Sequence, residues 1–217
     1  MRTRGIIIAA LAATLLALPA QAKGPVAFDD GWRVQTFPRL DANSYRLQGR
    51  SLTLRSDSAV SLVWRALDAA FWPVRTARWR WGVTTGTPPT DLGRKGGDDR
   101  NMALYFVFLP QDKAKRAAGS GIGRLLRDRD ARVLVYVWGG DHRRGQMLDS
   151  PYLGNRGKTV VLRGAGTGEH EESVDLAADF TRAFGGAPQA LVGLAVSGDS
   201  DDTDSEIDAR LEQLVLR

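Results

Sequence analysis

The chain has 217 residues, of which 43% are hydrophobic and 25% charged, ordinary globular proportions that exclude wholesale disorder and collagen-like repeats. It has no cysteine, which excludes a disulfide framework, a thiolate zinc site, an iron–sulfur cluster, a cysteine nucleophile and a lipoprotein anchor. The formal net charge of +5 is small beside the concentrated basic excess of nucleic-acid binders, so no nucleic-acid partner is expected.

Arg2 and Arg4 open a positive segment, residues 6–18 form an apolar run, and Pro19-Ala20-Gln21-Ala22 ends in an A-x-A pattern. These three parts predict a secretory signal peptide over residues 1–22, cleaved near Ala22. Its loss removes two arginines and lowers the net charge from +5 to +3. Residues 23–217 then fit one domain, expected to be a periplasmic or secreted monomer. No later apolar run approaches the roughly 20 residues of a transmembrane segment.

Strand signals dominate the mature chain. Residues 32–37 and 51–56 alternate apolar with polar, and 59–67 and 77–84 read as further strands. In the last of these, Trp79 and Trp81 share one face and Arg78 and Arg80 the other, so the two indoles are expected in the core. Residues 101–109 and 132–138 are apolar on both faces, the mark of central, doubly covered strands. Strands at 159–163, 190–197 and 211–216 bring the expected total to about nine to eleven, with turn residues between them. Two stretches read differently. Residues 111–130 are rich in Ala, Lys, Arg and Leu and broken by Gly119, Gly121 and Gly123, predicting one broken or two short helices with Asp112 as a cap. Residues 175–184 predict a helix with Leu176 and Phe180 on one face, ended by Gly185-Gly186. The class is therefore all-β: an antiparallel β-sandwich with one or two short inserted helices.

The order of motifs resembles a known family. Trp79-x-Trp81 is followed by Gly97-Asp98-Asp99 running into Leu104-Tyr105-Phe106-Val107-Phe108. Tyr136-Val137-Trp138, the segment from Val174-Asp175 through Phe184-Gly185 to Pro188, and Asp199-Ser200-Asp201-Asp202-Thr203 complete the set. Over residues 60–217 the chain resembles the bacterial domain-of-unknown-function family 3047, secreted proteins without an established activity. It departs from the pattern at Ala103, where an arginine is expected, and in a closing strand that lacks an aromatic-plus-Asp ending. The resemblance implies a jelly-roll-like sandwich akin to carbohydrate-binding modules, and no reaction.

Four residues are candidate ligand contacts. Asp98 and Asp99, at the mouth of a central strand, could accept hydrogen bonds from sugar hydroxyls, bind a cation or cap a turn. Tyr136 and Trp138 end a buried strand before Gly139-Gly140, where an aromatic could stack on a ligand at the sheet rim. No pair of acids stands out with glycosidase spacing, and no G-x-S-x-G elbow appears, so no catalytic residue is assigned. His142 and His170 sit among charged residues and read as surface. Arg163-Gly164-Ala165-Gly166-Thr167-Gly168 lacks the Lys-Ser/Thr of a phosphate loop and reads as a hairpin turn.

The acidic run from Asp199 to Glu206 needs solvent or a cation. Its oxygen-only donors suit a structural Ca²⁺ held by Asp199, Asp201, Asp202 and Asp204. An EF-hand is out, because Asp204 stands where the loop's glycine belongs; a solvated acidic hairpin is the plainer reading. Together these features point to a non-catalytic module binding an envelope carbohydrate or glycan. A carbohydrate-active hydrolase on the same fold, or an envelope interaction protein using its basic insert, are the alternatives.

Overall fold

The stretches that are apolar on both faces become the middle of the molecule. The computed structural model describes residues 24–117 and 121–217, and the leader expected at residues 1–22 lies outside the described residues. The first strands are β1 (Arg33–Thr36), β2 (Ser44–Gln48), β3 (Ser51–Asp57), β4 (Val60–Ala66), β5 (Thr76–Thr85) and β6 (Arg100–Leu109). After them come β7 (Arg132–Trp138), β8 (Met147–Ser150), β9 (Gly154–Arg163), β10 (Gly168–Asp175), β11 (Ala190–Asp199) and β12 (Glu206–Leu216). The helices are α1 (Gln111–Ala117), α2 (Ile122–Arg127) and α3 (Leu176–Phe184).

The strands form a seven-stranded sheet in the order β1-β4-β11-β6-β7-β9-β8 and a five-stranded sheet in the order β10-β5-β12-β3-β2. Neighbours are antiparallel with one exception. β7 and β9 run parallel, because β8 first carries the chain back along the sheet edge. Side-chain alternation then sorts the core. From β6, Leu104, Phe106 and Phe108 face Leu52, Leu54, Trp79 and Trp81 of the opposite sheet. Val107 and Leu109 point the other way and join Val133 and Val135 under Ala114, Ile122 and Leu125 of the insert. A register shift between Leu191 and Gly193 in β11 changes parity, so that Leu191, Leu194 and Val196 all face inward. The expected all-β, jelly-roll-like sandwich with one or two short inserted helices is the observed fold, with two helices in the insert.

Three local expectations need correction. Asp112 does not cap α1; it lies in the first turn and pairs with Arg116 one turn later. The glycine-rich turn after Arg163 is no hairpin, since it carries the chain from β9 in one sheet to β10 in the other. The acidic run after Asp199 likewise crosses between sheets, from β11 to β12.

The α3 boundaries agree closely with the sequence pattern. Asp175 accepts a hydrogen bond from the Ala178 amide at 2.9 Å, and Gly185, at φ 72°, ends the helix. Leu176 and Phe180 bury the apolar face, with Phe180 edge-on to Phe108 at 5.1 Å. Asp175→Ala removes the cap and is expected to cost about 1 kcal/mol, or roughly 2–4 °C in Tm for a chain of this size. A thermal melt checks it, and an unchanged Tm would show the cap to be dispensable.

Candidate functional site

β6 begins beside the end of β11, with Arg100 opposite Asp199. This register brings the Gly97-Asp98-Asp99 turn against the acidic turn, although about 100 residues separate them in the chain. The Asp99 carboxylate is fully buried and accepts from the Thr203 amide at 2.8 Å and the Thr203 hydroxyl at 2.5 Å. A longer contact of 3.4 Å comes from the Asp202 amide. Asp99 therefore anchors the acidic turn from below.

Asp98 serves a different partner. Arg100 Nη1 donates to Asp98 Oδ2 at 2.9 Å and to the Asp98 carbonyl at 2.7 Å, and forms an ion pair with Asp199 Oδ2 at 2.9 Å. Arg100 Nη2 donates to the Tyr105 hydroxyl at 3.0 Å, which lies 3.1 Å from Ser197 Oγ. The Tyr152 hydroxyl donates to Asp98 Oδ1 at 3.1 Å. A cation buried at a strand end needs such neutralisation. Burial alone would lower the Arg100 pKa, but Tyr105, Asp199 and Asp98 outweigh it and hold it well above the ordinary arginine value. Burial pushes Asp199 up to about 8 against the pull of Arg100, and the adjoining Asp201 carboxyl and the Asp98 charge push the same way.

Asp201 is half-buried and Asp202 exposed. One oxygen from each of Asp99, Asp201 and Asp202 lies within 4.8 Å of the others. Of the four residues expected to hold a metal, Asp201 and Asp202 lie in this cluster with Asp99, and Asp199 sits behind it on Arg100. Asp204, at φ 48° and exposed, falls outside the cluster.

Next to this turn is a cavity of about 310 Å³, lined by Asp91, Arg94, Gly96, Gly97, Asp141 and Asp202 among others. Glycine makes the close approach of its loops possible. A Cβ on Gly139, at φ 151°, would lie 2.8 Å from the Arg100 Cα. The Asp141 amide donates to the Thr90 carbonyl at 2.9 Å, tying the loop after β7 to the loop before β6. His142, expected at the surface, is only 13% exposed and sits between Asp91 and Asp141. Tyr152, 55% exposed, stands beside Gly96 with Lys95 over its ring at 5.5 Å.

Tyr136 and Trp138 are not with Asp98 and Asp99. Both are fully buried, because their parity in β7 aims them between the sheets while Arg100 and Tyr105 gather on the opposite face. Trp138 packs on Trp81 at 5.6 Å and on His170 at 4.9 Å. The Tyr136 hydroxyl donates to Asp179 Oδ2 at 2.8 Å. Neither aromatic reaches the rim, and His170 belongs to β10 rather than to a surface loop. Glu172 on the same strand is buried and paired with Arg163 at 2.7 Å and Arg144 at 3.0 Å. In the basic insert, Lys113 pairs with Asp128 and Asp130, so part of its charge is neutralised internally. Sequence reasoning missed Arg100, Tyr105 and Tyr152. Arg100 left a signal: a charged residue opening a strand buried on both faces must meet acids.

Fold and site together define an all-β sandwich whose acid-lined polar cavity is built from loops at one end of its larger sheet. Residues 30–215 match the family model for DUF3047, described as a protein of unknown function, and the chain belongs to that family. No curated protein matches it. Among solved structures it is similar to the xyloglucanase domain of NopAA, a type three effector from Sinorhizobium fredii, in complex with cellobiose. That likeness has 8% identity and a TM-score of 0.45 over 90% of this chain and 95% of the other. It is also similar to the family 11 xylanase from Neocallimastix patriciarum, at 14% identity and a TM-score of 0.42 over 92% of this chain and 96% of the other.

Proposed function

We propose that the chain is a non-catalytic module that binds an envelope carbohydrate in the cavity between the loop at residues 89–97 and the acidic turn. The observation that carries this reading is the lining of that cavity. Asp91, Asp141 and Asp202 accept hydrogen bonds from hydroxyls, and Arg94 donates to ring and hydroxyl oxygens. A volume of about 310 Å³ lies at the small end of ligand pockets, roughly 300–1,000 Å³, and suits a short sugar unit. Tyr152 is exposed beside the cavity-lining Gly96, with Lys95 over its ring. Asp98 and Asp99 support the site from behind by holding Arg100 and the acidic turn. The leader read in residues 1–22 would deliver such a module to the periplasm or the medium. No helix among the described residues is long and apolar enough to cross a membrane.

Calorimetry with a panel of neutral and amino-sugar oligosaccharides tests the proposal. At least one should bind, and Asp141→Asn should weaken it about tenfold, equivalent to about 1.4 kcal/mol. A panel without a binder, or equal affinity in the variant, overturns it. One observation favours a hydrolase instead. Asp202 shares the cavity with Asp91 and Asp141, and burial with the charges of Asp201, Asp99 and Asp98 raises its pKa. New reducing ends released from the bound oligosaccharide would establish that alternative; binding without turnover would remove it.

A further inference from the structure

We propose that Asp99, Asp201 and Asp202 hold a Ca²⁺ ion that clamps the acidic turn to the mouth of β6. Their three oxygens lie within 4.8 Å of one another. A Ca²⁺ ion at 2.3–2.6 Å from each ligand spans oxygens up to about 5 Å apart, so a single ion can reach all three. The second, independent observation is Asp199. Its side chain is only 8% exposed, its Oδ1 is buried with no hydrogen-bond partner among the described residues, and its carboxyl abuts that of Asp201. The unpartnered oxygen beside a second carboxyl marks a place where a cation would be held.

The surrounding charges agree. Asp98, Asp99, Asp199, Asp201 and Asp202 gather around two arginines: Arg100 is spent on Asp98 and Asp199, and Arg94 acts on Asp202. The donors are all oxygen, which selects a hard ion over zinc or copper. Asp202 is exposed, leaving room for the waters that complete a coordination of six to eight. The ion's role is to fix the crossing from β11 to β12, and it takes part in no reaction.

Melting the full chain in CaCl₂ and in excess chelator, with no sugar present, tests this site separately from the glycan proposal. At a hundredfold excess over Kd the Tm should rise by roughly 5–10 °C. The double variant Asp201→Asn/Asp202→Asn should fold, because both side chains reach solvent, and should lose the shift. Asp204→Asn, outside the cluster, should keep it. Calorimetry with CaCl₂ alone should give one ion per chain. Equal Tm in Ca²⁺ and chelator overturns the proposal, as does a shift that survives in the double variant. An equal shift with MgCl₂ at the same concentration overturns the assignment to Ca²⁺.

Discussion

Replacing Arg100 with Met is expected to destabilise the protein by about 3–5 kcal/mol, the cost of leaving a buried charge without its partner. Asp98 and Asp199 both lean on Arg100 Nη1, so the variant leaves both carboxyls without their cation in a buried site. The methionine stem keeps most of the packing, which isolates the charge effect. Adding Asp98→Asn and Asp199→Asn should recover much of the loss, since removing a buried ionic group whole is far less costly than breaking it. Urea unfolding of the single and triple variants at pH 7 measures both. A loss below about 1 kcal/mol in the single variant would mean that solvent reaches the cluster.

A cost of similar size, about 3–5 kcal/mol, is expected for Trp81→Ala. Trp81 has no solvent exposure. It meets Trp79 edge-on at 5.4 Å and 82° and packs on Trp138 at 5.6 Å, so truncation opens a cavity bounded by two other indoles. Trp81→Phe should cost clearly less. The Trp81 indole N–H is buried without a hydrogen-bond partner among the described residues, so its removal relieves an unsatisfied donor and offsets part of the lost contact. Denaturant unfolding of both variants decides this, and equal losses would show that the indole nitrogen is satisfied after all.

The parts of the fold that were legible in the sequence are those that local pattern determines. Two-faced apolarity marked β6 and β7 as central, alternation put Trp79 and Trp81 inside, and Asp175 with Gly185-Gly186 bounded α3. Hidden strands were hidden by charge. β10 reads Gly168-Glu169-His170-Glu171-Glu172, which resembles a loop until Arg163 and Arg144 neutralise Glu172 and Trp138 covers His170. β2 and β8 are short strands at or beside sheet edges with little inward apolar surface. The site was half legible. Asp98, Asp99 and the acidic turn could be named, but their juxtaposition is set by the pairing of β6 with β11, a contact no local pattern encodes. Tyr136 and Trp138 were misplaced for the same kind of reason. Both faces of β7 are apolar, so the sequence does not say which face meets the polar loops. Tyr152 carried no signal, because a loop tyrosine gains its meaning from Asp98 and Gly96 across the fold.

Amide chemical-shift mapping during an oligosaccharide titration of the full chain tests whether the loops at residues 89–97 and 199–204 form a carbohydrate site. The shifts are expected to concentrate on Asp91, Arg94, Gly96, Gly97, Asp141, Asp202 and Thr203, with α1, α2 and the β10 edge unmoved. Shifts confined to the insert, or spread over the outer face of the five-stranded sheet, would contradict it.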